Sequence, residues 1–305
     1  MAFRAAVRHR VLHICIAASL ATAACAGQIR PALTPTPRSE ALLILPGFGY
    51  GRGAEQTLRA LAPEVGAAGL DLYVPSYISR RGLHRSREHL NDFIHKHRLE
   101  RYDRLHVFAF IAGGWSFNPL AEQRGLANLA TVVYDRSPLQ ERAARIATDH
   151  LHFLTWVRYG TPVFDLARTP YPPLAASGVR VALLIETRPT TFISKRAAAA
   201  RQYGPFQFDC DSFAQPHDDC AFISKNHDQM YQHFSEVLPE VLTFIRTGRF
   251  SSAAVRQPPA IDPLADDLAL VKGSLRLGTP EGVPYGLAPP YDFALLKGVP
   301  YDGAR

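Results

Sequence analysis

The chain lacks an apolar run long enough to cross a bilayer near its first residues, and that region has no acidic residue. Arg4, Arg8 and Arg10 precede an apolar stretch from Val11 to about Leu20, and the small-residue sequence ATAACAG follows. Even with the small residues up to Ala26, the stretch covers about 16 residues, whereas a spanning helix needs roughly 20. This layout is typical of a secretory signal peptide. We therefore expect residues 1–26 to be removed and the protein to be exported to the periplasm, the cell envelope or the medium.

The excess of positive charge is also small once the leader is removed. The whole chain of 305 residues has a formal charge of +7, and loss of the three leader arginines lowers it to +4. A charge this small does not indicate a nucleic-acid partner. The hydrophobic fraction of 47% excludes a disordered chain and is sufficient for one large core.

Cysteine is scarce, with 4 residues in the chain. Cys15 and Cys25 leave with the leader, so Cys210 and Cys220 remain and are predicted to form a disulfide. Two buried thiols are the alternative. Cys25 follows Thr22-Ala23-Ala24 and resembles a bacterial lipobox, although a threonine replaces the usual leucine. Lipidation at Cys25 is thus the alternative to a free exported protein, and the predicted route to membrane association.

Strand-like and helix-like segments alternate after a linker at residues 27–40. The run ALLILPGF from Ala41 is aliphatic and ends at glycines, as expected for a strand buried on both faces. Further segments of both kinds follow, including helices expected from Glu55 to Ala67, from near Phe117 and, as a single helix, after His227. This alternation predicts an α/β fold with a mostly parallel sheet and helices on both faces over residues 41–250. A helical, lid-like insert is predicted at about residues 139–175.

Residues 251–305 form a proline-rich extension that is not expected to build a second core. This C-terminal tail is a candidate surface for a protein partner.

Three local sequences give the chain its resemblance to the α/β-hydrolase superfamily, of the lipase and esterase type. LPGFGYG from Leu45 is similar to the loop whose backbone N–H faces the developing oxyanion, which assigns that position to Gly47 and Phe48. RLHVFAFIAGGW resembles the strand and sharp turn that carry G-x-S-x-G. In KNHDQMYQHF, His227 stands where the family keeps its general base.

The resemblance departs from the family at the nucleophile. Ala109 replaces the first glycine of the motif and Ile111 replaces the serine, while Gly113 and Gly114 are retained. Isoleucine has no lone pair with which to attack a substrate, so covalent acyl transfer is not expected. The alternative is a chance match, with Ile111 as ordinary core.

The resemblance assigns the remaining site residues with an open alternative for each. Glu186, at the end of a predicted strand, would orient His227 as a triad acid does. The alternatives are that Glu186 is a solvated carboxylate at a strand end and that His227 is a helix-capping or surface residue. Ala112 would supply a second backbone donor. Ser116 lies beyond the turn and is a poor substitute nucleophile.

Other polar residues belong to the predicted pocket. Asp135, Arg136 and Ser137 follow a strand at the sheet edge where open α/β proteins bind ligands, although a salt-bridge network bracing the insert explains the charged ones equally well. No metal site and no cofactor are predicted, because the spacing of the histidines and aspartates near residues 217–233 matches no metal-binding motif.

Three functions follow from these residues. The leading hypothesis is an exported, non-catalytic hydrolase relative that binds a small-molecule or acyl ligand or has a role in envelope assembly. The second is an atypical hydrolase in which His227 activates water directly. The third is an adaptor protein that acts through residues 251–305, because a fold does not dictate a function.

Overall fold

The computed structural model describes residues 38–48, 50–135, 142–204 and 208–259. These residues belong to one compact unit within Met1–Ala265. The predicted leader and most of the linker and C-terminal tail lie outside the described residues. Within the described ranges, no helix has the length and apolar character of a membrane span.

A six-stranded sheet forms the centre of the fold. Its strands are β1 (Glu40–Leu45), β2 (Leu70–Tyr73), β3 (Arg104–Ala109), β4 (Leu129–Asp135), β5 (Arg180–Glu186) and β6 (Asp219–Ile223). The spatial order is β2-β1-β3-β4-β5-β6, and each neighbouring pair is parallel. Because all the strands run in one direction, their carboxyl ends share one edge, and Leu45 pairs there with Ala109.

Helices connect the strands and cover both faces of the sheet. They are α1 (Arg52–Ala60), α2 (Ala62–Ala67), α3 (Leu83–Lys96), α4 (Ile111–Arg124), α5 (Arg142–His150), α6 (His152–Tyr159), α7 (Pro162–Arg168), α8 (Thr191–Ser194), α9 (Ala197–Arg201), α10 (His227–Met230) and α11 (Phe234–Thr247). Short 3-10 turns lie at Leu99–Arg101 and Cys210–Ser212.

Two apolar layers explain why the strands read as continuous hydrophobic runs. Leu42 and Ile44 of β1 are fully buried against a cluster that includes α1, α2 and α11. Leu43 and Leu45 point to the opposite face and pack in a cluster that includes α3 and α4. Successive side chains of a strand alternate between faces, so a strand covered on both sides needs apolar residues at every position. The predicted α/β fold is confirmed.

Several element boundaries differ from the sequence-based expectation. The helix expected from Glu55 to Ala67 is divided at Leu61 into α1 and α2, with Pro63 in the first turn of α2, a position that suits proline because its missing N–H has no helical partner there. The helix expected near Phe117 instead begins at Ile111. The helix starts six residues earlier than expected, because it accommodates Gly113 and Gly114 within its first turn.

The final helical region is also divided. A single helix was expected after His227, but α10 ends at Met230 and α11 begins at Phe234. Asn226 accounts for the separate start of α10, since its side chain accepts from the N–H of Gln229 while the Gln229 side chain accepts from the N–H of Asn226. This reciprocal capping box satisfies two N–H groups at the helix start.

The predicted insert contains α5, α6 and α7. Ala144 and Ala147 of α5 and Val163 and Leu166 of α7 are buried in a cluster with Trp115 of α4. The insert is therefore attached to the helix that follows β3, at the carboxyl edge of the sheet.

Candidate functional site

The turn between β3 and α4 places Ile111 at the carboxyl edge of the sheet. Only Phe110 separates the end of β3 from the start of α4, and its backbone is extended, with φ −67° and ψ 167°. Ile111 is the first residue of α4 and is partly buried against an apolar cluster that also contacts Phe48 and Phe192. This is the position at which the resembling hydrolases carry their serine.

Gly113 shows how closely α4 approaches the sheet. A Cβ atom at this position would lie 3.0 Å from the Cβ of Ala109, 3.0 Å from the Cβ of Leu45 and 3.3 Å from the Leu45 carbonyl oxygen. The N–H of Gly113 donates to the Phe110 carbonyl at 2.6 Å. The chain thus makes a sharp turn here, and the small residues around it allow the close approach.

The loop after β1 places Gly47 beside Tyr231, which is 5% exposed. The Gly47 N–H donates to the phenol oxygen of Tyr231 at 2.5 Å. A Cβ atom at Gly47 would lie 3.3 Å from that oxygen and 3.4 Å from Cε1 of His227, so glycine allows the loop to reach both side chains. Of the backbone positions that the resemblance assigns to an oxyanion, Gly47 therefore donates its N–H to a tyrosine, a residue that the sequence analysis missed.

Two carboxylates lie next to His227. Glu186, at the end of β5, is fully buried, and its Oε1 lies 3.7 Å from Nδ1 of His227, whose side chain is 13% exposed. Asp135, at the end of β4, is fully buried as well. Ligand atoms of all three residues lie within 4.8 Å of one another. Since Asn226 provides the helix cap, the imidazole of His227 has no capping role and faces the carboxylates.

This arrangement has two chemical uses. A carboxylate beside a histidine orients the ring and stabilises its protonated form, as in catalytic triads. Two carboxylates and an imidazole are also donor types that bind divalent cations. Within the described ranges, this is the one group of a histidine and carboxylates whose ligand atoms lie close enough to share an ion. It has only His227 in common with the group that the sequence analysis considered.

Asp218, Asp219 and His233 of that earlier group have other partners. The side chain of Asp218 accepts from the N–H of Val181 at 2.7 Å. Asp219 accepts from the N–H of Phe250 at 2.7 Å and pairs with Arg256. His233 contacts Glu236 on the surface, 2.9 Å away. These residues hold segments together and do not converge on the site.

Tyrosines surround the Pro46–Gly47 backbone. Tyr77 donates to the Pro46 carbonyl at 2.9 Å, and burial raises its pKa. Burial also raises the pKa of Tyr231 well above its usual range, and the charge of Asp135 adds to this effect. Both phenols therefore stay protonated over the physiological pH range. Ser116 is fully buried on α4, close to Tyr77, and lies too far inside the protein to serve as a nucleophile.

A cavity of about 190 Å³ opens beside the loop that follows β1. Four aromatic side chains and two arginines contribute to its walls. The lining residues are Pro46, Gly47, Phe48, Tyr50, Pro75, Ser76, Tyr77, Ile78, Arg80, Arg158 and Tyr159. The cavity extends from Gly47 toward β2 and the end of α6. Arg136 and Ser137, which the sequence analysis placed in the pocket, lie outside the described residues.

The chain matches no protein-family model and no curated protein, but it is similar in fold to solved lipases and thioesterases. The Bacillus licheniformis lipase BlEst2 is 11% identical, covers 70% of this chain and 97% of its own, and has a TM-score of 0.48. A metagenome-derived lipolytic enzyme is 12% identical, with 71% and 97% covered and a TM-score of 0.47. The type II thioesterase BorB from the borrelidin biosynthetic cluster is 17% identical, with 72% and 96% covered and a TM-score of 0.47.

These likenesses concern the fold alone, and the topology of the chain carries the assignment. The parallel sheet, the sharp turn after β3 and the histidine after β6 agree with the expected α/β fold, although α4 starts earlier than expected. The chain therefore has an α/β-hydrolase-type fold.

Proposed function

We propose that this protein is an exported, non-catalytic relative of the α/β-hydrolases that binds a small ligand beside the former active site. The observation that carries the proposal is Ile111 at the first residue of α4. A serine hydrolase forms a covalent intermediate through an oxygen at this position, and an aliphatic side chain cannot form it.

The engaged oxyanion donor supports the same conclusion. A hydrolase needs free N–H groups aimed at the oxygen that becomes negative in the transition state. Gly47 donates its N–H to Tyr231 at 2.5 Å. Isoleucine thus stands in place of the family's nucleophile, and one backbone donor of the oxyanion loop is occupied by an internal hydrogen bond.

The cavity next to Gly47 is the proposed ligand site. Its volume of about 190 Å³ is below the range of about 300–1,000 Å³ that is usual for drug-sized ligands. Phe48, Tyr50, Tyr77 and Tyr159 give it aromatic walls with hydroxyl groups. A small amphipathic molecule, such as a short acyl chain with a polar end, matches this size and polarity.

The proposed compartment agrees with the disulfide. Cys210, in a 3-10 turn, is bonded to Cys220 of β6, and structural disulfides are typical of proteins in oxidising compartments. Export through the leader, with lipidation at Cys25 as the alternative, remains a proposal, as does a protein partner for residues 251–305.

A second candidate function is hydrolysis by activated water. The proximity of His227 to Glu186, at 3.7 Å, favours it, because an oriented imidazole is a general base without any serine. Under this alternative, the parent protein has esterase activity that His227→Ala removes. Glu186→Gln would lower it by about 100-fold or more, whereas Glu236→Gln, which alters the surface pair with His233, would leave it unchanged.

An esterase assay decides between the two functions. The chain from Gly27 is tested on short and medium acyl esters beside Ile111→Ser, His227→Ala and the control Ile223→Ser, which removes a partly buried isoleucine from the end of β6. We expect no activity in the parent. Activity in the parent that His227→Ala removes would refute the non-catalytic proposal.

Ligand binding is measured separately, by thermal shift and calorimetry with hexanoate and octanoate. We expect saturable stabilisation that Phe48→Ala reduces by about tenfold in affinity, since a buried aromatic ring contributes more than about 1.4 kcal/mol. Phe93→Ala, on α3 away from the cavity, serves as the control for a lost phenylalanine. Equal loss in both variants would contradict the assignment of this cavity.

A further inference from the structure

Helix α6 presents its apolar side chains to the outside. Five large hydrophobic side chains are exposed in the described part of the chain, and four of them lie on this one helix. Their exposed fractions are 70% for Phe153, 37% for Leu154, 53% for Trp156 and 47% for Val157. Such a concentration on a single element marks an interaction surface. We call these four residues the α6 patch.

One polar residue of the same helix, Thr155, faces inward. Thr155 is 4% exposed, and its hydroxyl donates to the carbonyl of Ala147 in α5 at 2.8 Å. A helix that faces water has the opposite arrangement, with apolar residues toward the core. The α6 patch is therefore exposed because the side of the helix that carries Thr155 packs against α5.

Contacts at the carboxyl end of α6 attach the helix to the protein body. The guanidinium of Arg80 donates to the carbonyls of Val157 at 2.6 Å and Arg158 at 2.7 Å. The Arg80 carbonyl accepts from the N–H of Thr161 at 3.0 Å. Gly160, with φ +75°, permits this approach, since a Cβ there would lie 2.2 Å from that carbonyl oxygen. The patch is thus preformed.

The one arginine of α6 and two arginines near its end are basic residues beside the patch, and Asp149 lies one position before the segment from His150 to Gly160. That segment contains no aspartate or glutamate, and exposed Arg158 lies within it. Arg80 and Arg81 are also exposed, and Arg80 contacts the end of the helix. Anionic headgroups attract basic residues near a bilayer, and tryptophan and phenylalanine occupy the boundary between headgroups and acyl chains.

The size of the patch favours a lipid surface over a second copy of the chain. A helix of eight residues is about 12 Å long and about 10 Å wide. One face of it therefore covers much less than the roughly 800 Å² that each partner buries in a stable protein interface. A few aromatic and aliphatic side chains with a basic border are enough for reversible binding to a bilayer surface. We propose that the α6 patch docks the protein on an anionic lipid surface, independently of Cys25 and of the ligand site.

The sequence provides a direct probe for this docking. Of the two tryptophans, Trp115 is 2% exposed and Trp156 is 53% exposed, so a change in emission on binding reports on Trp156. The chain from Gly27 to Arg305, which lacks the apolar leader and Cys25, is mixed with phosphatidylcholine vesicles with and without phosphatidylglycerol. We expect a blue shift, reduced acrylamide quenching and co-sedimentation with the anionic vesicles, all weakened by salt.

Two matched variants locate the contact. Val157→Ser removes an apolar side chain from the patch, and Val255→Ser removes one that is 58% exposed outside α6. We expect about tenfold weaker vesicle binding for Val157→Ser and parental binding for Val255→Ser. Absence of vesicle binding, or equal loss in both variants, would overturn the proposal. Equal binding to both vesicle types would refute an anionic surface, and lipid-independent self-association that only Val157→Ser abolishes would assign the patch to a second copy.

Discussion

The backbone N–H of Gly47 and the phenol oxygen of Tyr231 are joined by a hydrogen bond of 2.5 Å, although 184 residues separate them in the chain. Tyr231 follows α10, the short helix that begins with His227. The tyrosine thus takes the backbone donor next to the histidine that the resemblance names as the base. The proposed absence of serine chemistry rests on this contact and on Ile111.

Restoring the nucleophile alone should give little activity. Ile111→Ser supplies an oxygen, but the Gly47 N–H remains bonded to Tyr231. A single oxyanion donor contributes about 100- to 1,000-fold to kcat, so we expect Ile111→Ser with Tyr231→Phe to exceed Ile111→Ser by about tenfold or more in ester hydrolysis. Tyr50→Phe, which changes a tyrosine packed 6.0 Å from the Tyr231 ring, is the control. Equal rates in the single and double variants would show that Tyr231 does not limit this donor.

Gly113 should be intolerant of even one methyl group. Gly113→Ala places a Cβ 3.0 Å from Leu45 and Ala109, two residues of central strands that cannot shift freely. We expect a loss of about 1–3 kcal/mol in the free energy of unfolding, as for other overpacked cores. Gly53→Ala in α1 meets no atom within 4 Å and should be neutral or stabilising by about 0.5 kcal/mol. Urea denaturation measures both, and a neutral Gly113→Ala would contradict the close approach of α4 to the sheet.

Acidification should destabilise the protein through His106. Burial lowers the pKa of this histidine, while its hydrogen bond to Glu40 opposes the effect and the charges of Arg104 and Arg180 add to it. A lowered pKa in the folded state means that the unfolded chain binds the proton first. Stability is therefore fully present above the ordinary histidine value of about 6.5 and falls as the pH drops toward the folded-state pKa.

The variant His106→Gln isolates this contribution. Unfolding free energies are measured at pH 7.5 and 5.5 for the parent, His106→Gln and His84→Gln, the last an exposed histidine. We expect a smaller decrease between the two conditions in His106→Gln than in the other two proteins. An identical decrease in all three would exclude His106 as a source of acid sensitivity.

The disulfide should contribute measurably to stability. Cys210 and Cys220 close a short loop, with a sequence separation of 10, for which the chain-entropy relation gives about 3 kcal/mol. Replacing both cysteines by serine should lower the free energy of unfolding by roughly that amount, and a reducing agent should then have no further effect. A thiol titration of the unfolded parent that finds both sulfurs free would contradict the bond.

The sequence by itself determined the layers of the fold, because a strand buried on both faces must be apolar at every position. It also identified Ile111 and His227 by their order relative to the strands, and Cys210 and Cys220 as the pair that would remain after the leader. These signals are local, so no knowledge of the folded contacts was needed. The boundaries of α4 and the division of the last helix were less accessible, because glycine and capping residues have more than one local interpretation.

Only the tertiary structure decided which residues meet at the carboxyl edge of the sheet. Asp135, Glu186 and His227 come together because β4, β5 and β6 are parallel neighbours that end at the same edge. Tyr231 reaches Gly47 because α10 returns its chain to the loop after β1. The outward face of α6 was equally undetermined, since a hydrophobic helix segment has the same sequence whether it packs inward or outward. Its direction depends on buried Thr155 and on Arg80, whose contacts with α6 span more than 70 positions of the sequence.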